Sequence, residues 1–216
     1  INTSFYLFNI LDVTPNPSDD TEVWFANYQG YNVSTNGIYK MKYDESSKDF
    51  VDQPEFYSTN IDDKTRMVGL VFDDSNNLYA TGSYFEVGSI QKTTVYKYER
   101  SSNNIFKKYL GTSKAAQKPL YKDGFLWIPT PRTNTFIVAD ISNASSISDV
   151  TAYELSSSNN LPESAEGSLS VAIDNYGDAW IGTDHGLRVL SNAVSTITSD
   201  PTLEEIVIEE NGVAEE

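Results

Sequence analysis

The sequence contains no cysteine and a single histidine, His185. Without cysteine the chain cannot form a disulfide, use a thiol nucleophile or bind zinc through thiolates. One histidine is too few for a His-based zinc site, and no cysteine is present to complete a Cys-His pair. We therefore assign no catalytic residue, metal ligand or cofactor and expect a protein that is not an enzyme. The alternative is a lyase or hydrolase that uses two of the 31 acidic residues.

Positive charge is also scarce, since the chain has 15 Lys and Arg residues but 31 Asp and Glu residues, which gives a net charge of −16. Such a chain repels the phosphates of nucleic acid and the surface of an anionic bilayer, which excludes nucleic acid as a partner. No stretch approaches the roughly 20 apolar residues that span a bilayer, so we expect no direct membrane insertion. The chain nevertheless has 14 Tyr, 10 Phe and 3 Trp, which are enough to build a core. An acidic chain without cysteine suits a bacterial envelope or surface protein.

Helical periodicity is absent, and short strands separated by turn residues take its place. The clearest unit is SVAIDNYGDAWIGTDHGLRVL at 170–190. It predicts three short strands joined by tight turns at 175–178 and 184–186. Asn, Asp and Gly dominate both turns because they accept the positive φ that tight hairpins demand.

This unit recurs in degenerate form at 22–44, 67–99 and 119–142. Each copy carries one aromatic anchor. The anchors are Trp24, Tyr79, Trp127 and Trp180. Their spacings of 55, 48 and 53 residues define a repeat of about 50 residues. We interpret the four anchors as residues at equivalent positions of four structural repeats.

A period near 50 with three or four strands per unit is typical of β-propeller blades. The predicted fold is therefore all-β: a single propeller over 1–216 with about four antiparallel blades, at approximately 10–60, 61–115, 116–160 and 161–216. The strands are apolar on both faces, as expected for a blade covered by two neighbours. We expect a partial arc of a larger propeller, in which 205–216 begins as the outer strand of the last blade. A closed ring of four blades is the alternative.

The fourth unit resembles a known repeat. Its core D-x-x-G-x-x-W-I-G-T-x-x-G-L, complete from Asp174 to Leu187, is similar to the two-component-regulator propeller repeat. That family fills the periplasmic sensor halves of hybrid histidine kinases in Bacteroidetes. The other units depart from it: Asn77 stands for the first Gly in the second unit, and Pro129 stands for the second Gly in the third.

The wider segments 159–192 and 66–82 resemble PorZ-like surface proteins of the type IX secretion system. This resemblance implies a non-catalytic scaffold at the cell surface, on the exterior of the outer membrane. It implies a sortase or another attachment-complex subunit as protein partner, and an anionic lipopolysaccharide as ligand. The alternative is a periplasmic glycan-sensing propeller of a hybrid two-component regulator. The resemblance assigns no contact residue.

Several segments have both a functional and a structural interpretation. The acidic runs 73–77 and 174–178 resemble half of a calcium loop, or are polar hairpin turns. The acidic, proline-broken segment 12–22 is interpreted as a loop that could hold a surface cation. Some aromatics placed in loops could stack on sugar rings, or pack at strand edges. They are Tyr28, Tyr31 and Tyr84.

Two substitutions summarise these expectations. His185 lies in a predicted hairpin turn, so its replacement by Ala should leave binding intact. Replacing Trp180 by Ala should cost about 3–5 kcal/mol if it fills a blade core.

Overall fold

The computed structural model describes residues 10–27, 37–51, 55–57, 65–85, 91–100, 102–112, 115–163, 167–199 and 201–206. They form four antiparallel sheets in chain order, which we call blades 1 to 4. In blades 2 to 4 the strands follow one another along the chain from one edge of the sheet to the other, and in blade 1 the first four strands do so. The prediction of an all-β propeller with four antiparallel blades is confirmed.

The strands of blade 1 are β1 (Ile10–Asn16), β2 (Asp19–Asn27), β3 (Gly37–Asp44), β4 (Asp49–Phe50) and β5 (Glu55–Tyr57). The strands of blade 2 are β6 (Thr65–Phe72), β7 (Leu78–Phe85), β8 (Gln91–Glu99) and β9 (Asn104–Thr112). The strands of blade 3 are β10 (Leu120–Lys122), β11 (Phe125–Thr130), β12 (Thr135–Asp140) and β13 (Thr151–Leu155). The strands of blade 4 are β14 (Ser168–Ile173), β15 (Ala179–Thr183), β16 (Gly186–Leu190) and β17 (Glu204–Ile206).

Helix is minimal. The described part of the chain has one α-helix, α1 (Ala193–Thr196), and two single turns of 3-10 helix at Ile147–Asp149 and Ser157–Asn159. The predicted outer strand of blade 4 is β17, and the remainder of that segment, 207–216, lies outside the described residues.

The interpretation of 12–22 as a loop is wrong. Residues 10–16 form β1, which pairs antiparallel with β2 and places Pro15 opposite Val23. β1 is the edge strand of its blade and its register with β2 shifts after Pro15, and edge strands and bulges are the places where a sheet accepts proline. The outer side of blade 1 is also irregular, since β4 and β5 both pair with β3.

The hydrophobic core formed by the described residues lies between blades and consists of three clusters, which we call seams. Seam 1–2 joins Trp24 and Ile38 of blade 1 to residues of blade 2 such as Leu70. Seam 2–3 joins Tyr79 to Leu126 and its neighbours in blade 3. Seam 3–4 joins blades 3 and 4, and its main members are Phe125, Trp127, Phe136, Val138, Leu155, Ala179, Ile181 and Leu190.

Adjacent residues of one strand serve different seams. Trp127 packs in seam 3–4, whereas Leu126 and Ile128 pack in seam 2–3. This alternation explains why the strands are apolar on both faces, because successive side chains of a strand point to opposite sides. None of the three seams formed by the described residues joins blade 4 to blade 1. The blades therefore form an arc in this chain.

The first strands of neighbouring blades approach one another closely. A Cβ on Gly69 of β6 would lie 2.4 Å from Cα of Lys118, which precedes β10. Hydroxyl groups of β7 bind the same crossing segment: Thr81 Oγ1 donates to Gln117 O at 2.8 Å, and Ser83 Oγ accepts from Ala116 N at 2.9 Å. Glycine and short hydroxyl side chains thus set the spacing between blades 2 and 3.

Candidate functional site

The turn between the first two strands of blade 4 is organised by one carboxylate. Asp174 Oδ1 accepts the backbone N–H groups of Tyr176 and Asp178 at 2.8 and 3.1 Å. Asp174 Oδ2 accepts the indole N–H of Trp180 at 2.9 Å, and this hydrogen bond is the main cause that lowers the pKa of Asp174. The acid of the motif therefore fixes both the turn and the aromatic anchor.

Blade 2 contains the same turn. Asp73 Oδ1 accepts the backbone N–H groups of Ser75 and Asn77 at 3.0 and 2.7 Å, and Asn77 Nδ2 donates to Oδ2 at 2.8 Å. The left-handed position is Asn76 (φ 62°) in blade 2 and Gly177 (φ 87°) in blade 4. The residue of blade 2 that corresponds to the motif glycine is therefore Asn76 and not Asn77. Asn77 corresponds to Asp178.

The hydrogen bonds of Asp73 and Asp174 test the interpretation of 73–77 and 174–178 as halves of calcium loops. Both oxygens of Asp73 and both oxygens of Asp174 already accept N–H groups of their own repeat. Within the described ranges no group of three or more His, Cys, Asp or Glu side chains is placed to hold a metal ion. The geometry of 73–77 and 174–178 is that of hairpin turns.

In blade 1 the aromatic anchor has a different acidic partner. Glu22 Oε1 accepts the indole N–H of Trp24 at 2.6 Å and the side-chain amide of Asn16 at 2.8 Å. Arg100, from the turn between β8 and β9, donates to the same oxygen at 3.0 Å. Glu22 is buried, so this carboxylate links blade 1 to blade 2 from inside the structure.

The anchors of blades 2 and 3 complete the comparison. Burial raises the pKa of the Tyr79 hydroxyl, and the negative charge of Asp73 raises it further. Trp127 is fully buried, and its indole N–H has no hydrogen-bond partner among the described residues. The first turn of blade 3 contains only Asp123 and Gly124, which is too short to repeat the Asp174 arrangement.

His185 lies in the two-residue turn between β15 and β16. Its Nδ1 is 3.2 Å from Asp184 Oδ1, and its side chain is 58% exposed. Its backbone N–H donates to Thr183 Oγ1 at 3.2 Å. The described contacts of His185 are thus confined to its own hairpin.

The first turns of the four blades (17–18, 73–77, 123–124 and 174–178) make up what we call the first-turn rim. Two open grooves lie on this rim, with volumes of about 430 and 390 Å³. The first groove is lined by Pro17, Phe72 and Asp74 among others, and the second by Asp74, Tyr121 and Asp123 among others. Tyr121 donates its hydroxyl to Asp74 Oδ2 at 3.1 Å.

The first-turn rim presents hydrogen-bond acceptors. Its turns carry several carboxylates, and Tyr176 at the tip of the blade 4 turn is 88% exposed. Carboxylates accept hydrogen bonds from sugar hydroxyls and from Lys or Arg side chains, but they repel phosphate. The chemistry of the rim therefore suits a basic protein segment or a hydroxyl-rich ligand.

A surface of the opposite character lies on the outer strands of blade 2. Lys92 Nζ and Lys107 Nζ lie 5.4 and 5.7 Å from the ring centre of Tyr109, and Tyr109 is 42% exposed. We call these three residues the basic strip. Two ammonium groups beside an aromatic ring suit a ligand that carries acidic groups. The sequence pattern did not single out these residues, although both β8 and β9 contain Lys and Tyr.

The aromatics expected to stack on sugars are not tested by these contacts. Tyr28 and Tyr31 lie outside the described residues. Tyr84 belongs to β7 and not to a loop, because β7 continues to Phe85.

The longest helix among the described residues has four residues, so no helix in this part of the chain is long enough to cross a membrane.

Comparisons with known proteins agree on the architecture. No protein-family model matches the chain, and no curated protein matches it in sequence. Among solved structures, it is similar to PorZ, a bacterial surface component of the type IX secretion system of Porphyromonas gingivalis. That match has a TM-score of 0.66 and 17% identity, and it covers 94% of this chain and 28% of the PorZ chain.

Two further structures show the same arrangement. The extracellular domain of the putative one component system BT4673 from B. thetaiotaomicron matches with a TM-score of 0.52 and 15% identity, over 89% of this chain and 22% of that one. A putative 6-phosphogluconolactonase from Bacteroides fragilis matches with a TM-score of 0.54 and 12% identity, over 93% of this chain and 57% of that one. At these identities the likeness shows the propeller fold, and this chain spans only part of each of these proteins.

Proposed function

We propose that this chain is part of a non-catalytic β-propeller scaffold at the bacterial cell surface, in an attachment complex of the type IX secretion system. The observation that carries the proposal is the structural match to PorZ, which extends over 94% of the chain. The sequence segments that resemble PorZ-like proteins, 66–82 and 159–192, belong to blades 2 and 4 and carry the two Asp-centred turns.

A scaffold role is supported by the way in which the polar residues are used. The carboxylates of Asp73 and Asp174 are occupied by their own turns, and Glu22 holds a seam together. His185 sits in an exposed hairpin with Asp184 as its acidic neighbour. These side chains stabilise the turns and seams of the blades, which leaves the other residues of the rims and the outer strands as the surfaces available for partners.

The two proposed ligands fit different surfaces. A sortase-like protein that presents Lys and Arg side chains would bind the acidic first-turn rim. An anionic lipopolysaccharide would be repelled there, and it would bind the basic strip of Lys92, Lys107 and Tyr109 instead. The scaffold can therefore bind both partners without competition.

The test is direct binding of the purified chain to a purified type IX sortase and, separately, to anionic lipopolysaccharide, measured by biolayer interferometry. Lipopolysaccharide without acidic sugars is the matched control. We expect Lys92→Glu with Lys107→Glu to abolish lipopolysaccharide binding and to leave sortase binding unchanged. Asp74→Lys with Asp123→Lys should do the reverse. Absence of binding to both partners by the folded chain would refute the proposal.

The alternative is a glycan-sensing propeller, and the match to the BT4673 extracellular domain favours it as the second candidate. A sensor would bind a short oligosaccharide rather than a sortase. A thermal-shift screen against dietary oligosaccharides, and against envelope oligosaccharides that do not come from anionic lipopolysaccharide, separates the two, because only a sensor should be stabilised by one of them. Release of a shortened product from the same glycans would instead indicate the lyase or hydrolase.

A further inference from the structure

The first groove of the first-turn rim lies where the turn of blade 1 meets the turn of blade 2, and its volume is about 430 Å³. Blade 1 contributes Pro15 and Pro17, which are exposed, and blade 2 contributes the half-buried Phe72. Asp74 and Asn76 of blade 2 add a carboxylate and an amide. The groove therefore combines apolar rings with a few hydrogen-bonding groups, which is the usual composition of a binding pocket.

The negative charge of this groove is not balanced by a cation. Asp73 and Asp74 line it, and no Lys, Arg or His among the described residues does so. The second groove differs, because Lys97 is one of its lining residues. Both oxygens of Asp73 are bound within its turn, but Asp74 is exposed, and the one described group that donates to it is the hydroxyl of Tyr121, at Oδ2. Asp74 Oδ1 can therefore accept from a donor that enters the groove.

The side chain of Asn76 is not required by the turn that contains it. Asn76 has a φ of 62°, and blade 4 holds the equivalent position with Gly177, at 87°. The Oδ1 atom of Asn76 is buried, and no described residue donates a hydrogen bond to it. A buried acceptor without a donor costs free energy, and Asn76 recovers part of that cost if its amide turns towards a donor in the groove. The groove thus offers a second acceptor beside Asp74.

Three charged groups fit these features unequally. An anion is repelled by Asp73 and Asp74. A lysine ammonium is attracted, but as a compact and strongly hydrated charge it gains little from the ring of Phe72. A guanidinium group is planar and more weakly hydrated, and it stacks on aromatic faces. Its N–H donors point outwards from one plane, so it can bind a carboxylate and an amide oxygen at the same time.

We propose that the first groove is a binding site for an arginine side chain of a protein partner. The guanidinium group stacks on Phe72 and donates to Asp74 Oδ1 and Asn76 Oδ1. The proposal rests on the proposed function, which assigns the rim to a partner that presents Lys and Arg side chains, and it adds the identity of the side chain and of the groove that selects it. Its first tests use peptides, so the site can fail independently of that function.

The first experiment compares three peptides that differ in one side chain: acetyl-Gly-Arg-Gly-amide, and the same peptide with lysine or citrulline in place of arginine. Binding is followed by NMR at constant ionic strength. We expect the arginine peptide to shift the backbone amide signals of Ser18, Asp74 and Asn76, which line the groove, with millimolar affinity. The lysine peptide should bind about threefold more weakly, and citrulline, which lacks the charge, should not bind. Equal affinities for arginine and lysine, or for arginine and citrulline, would overturn the proposal.

The second experiment removes single charges. Asp74→Asn keeps an oxygen that can accept the Tyr121 hydroxyl, and it should weaken binding of the arginine peptide about threefold. Asp123→Asn removes a carboxylate that lines the second groove and not the first, so its effect should be smaller. Glu204→Gln, on the exposed outer strand of blade 4, should leave binding unchanged. Equal effects of Asp74→Asn and Asp123→Asn would mean that the rim attracts cations without a defined site, which would overturn the proposal.

The third experiment removes the two groups that select arginine. Asn76→Gly keeps the left-handed turn, as Gly177 shows in blade 4, and it should weaken arginine binding about threefold. Phe72→Leu should lower the preference for arginine over lysine to nearly one, because the aromatic face is lost. Amide signals outside the groove that match those of the parent show that both variants are folded. A folded Phe72→Leu variant with an unchanged preference for arginine would contradict the stacking role.

The last experiment separates the site from the proposed function. Binding of a purified type IX sortase to the chain is measured by biolayer interferometry, with the arginine peptide as competitor. A chain that binds the peptide but not the sortase would uphold the site and refute the assignment of the sortase to the rim. A chain that binds the sortase but not the peptide would uphold that assignment and overturn the site. Shifts of the groove signals by a neutral oligosaccharide, and not by the arginine peptide, would also overturn it.

Discussion

Lys118 Nζ lies 2.6 Å from Asp12 Oδ1, although 106 positions separate the two residues. The second oxygen of Asp12 accepts the backbone N–H of Leu70 at 2.7 Å. Asp12 belongs to the first strand of blade 1, Leu70 to that of blade 2, and Lys118 to the segment that enters blade 3. One buried carboxylate therefore holds three blades in register.

We predict that Asp12→Asn destabilises the chain by about 1–3 kcal/mol, because it weakens hydrogen bonds to a charged and buried acceptor. Lys118→Met should cost less, about 0–1 kcal/mol, because the lysine side chain is 58% exposed and its ion pair is partly screened. Urea unfolding of the two variants and the parent gives both values. An equal or larger cost for Lys118→Met would show that the ion pair, and not the Leu70 contact, dominates.

The indole N–H groups of Trp24 and Trp127 provide a second comparison. Both side chains are fully buried, but only Trp24 donates to a carboxylate, Glu22. Replacement by Phe removes similar volume at both positions, so Trp24→Phe should cost about 1–3 kcal/mol more than Trp127→Phe. A double-mutant cycle with Glu22→Gln, measured by urea unfolding, gives the part of this coupling that depends on the carboxylate charge, because Gln keeps an oxygen that can accept the indole N–H. Equal costs for the two Phe variants would exclude this contribution.

The fold was predictable because its signals are local. The spacing of Trp24, Tyr79, Trp127 and Trp180, together with Asp- and Gly-rich turns, depends on residues within one blade, and the structure places all four anchors on second strands. The contact between Asp12 and Lys118 could not be predicted, because it depends on the packing of three blades. Segment 12–22 was misread because its acids and prolines are typical of loops, whereas an edge strand tolerates both.

The candidate surfaces were less predictable than the fold. Asp73 and Asp174 were recognised as turn or cation-site candidates, but only the geometry shows which N–H groups occupy their oxygens. The basic strip escaped notice because Lys92 and Lys107 lie on different strands and meet at Tyr109 only through pairing of β8 with β9. Surface clusters of this kind have no periodic signature in sequence.

Gly177 tests the left-handed turn position. Its φ is 87° and a Cβ there would meet no atom within 4 Å, so only backbone strain opposes a side chain. Gly177→Ala should cost roughly 1–2 kcal/mol. Gly177→Asn should cost clearly less, since Asn76 holds the same position in blade 2 and Asn tolerates this conformation. Thermal unfolding of both variants checks the order, and an Asn variant as unstable as the Ala variant would contradict the correspondence of the two turns.

The expectation that Trp180→Ala costs about 3–5 kcal/mol applies to a buried core residue. Because Trp180 is only half-buried in this chain, we now predict a cost of roughly 1–2 kcal/mol for it and about 3–5 kcal/mol for Trp127→Ala. Urea unfolding of the two Ala variants measures the difference. Equal losses would mean that the ring of Trp180 is covered in solution by the chain itself.

The last prediction concerns alkaline pH and Tyr39. Burial raises the pKa of the Tyr39 hydroxyl to about 12 from an ordinary value of 10.0, although its hydrogen bond with Asn27 acts in the opposite direction. The folded state therefore holds this proton more tightly than the unfolded state. The resulting contribution to stability is complete below pH 10 and is lost as the pH rises towards about 12.

Tyr39→Phe removes this proton, so between pH 10 and about 12 the free energy of unfolding should fall less steeply in the variant than in the parent. Urea unfolding at a series of pH values gives the slope of the unfolding free energy against pH for each protein. The lost contact with Asn27 changes that free energy by the same amount at every pH, so it does not affect the comparison of slopes. All other side chains are identical in both proteins, so they contribute equally to the two curves. Parallel curves would show that Tyr39 ionises equally easily in both states, which would contradict its burial within blade 1.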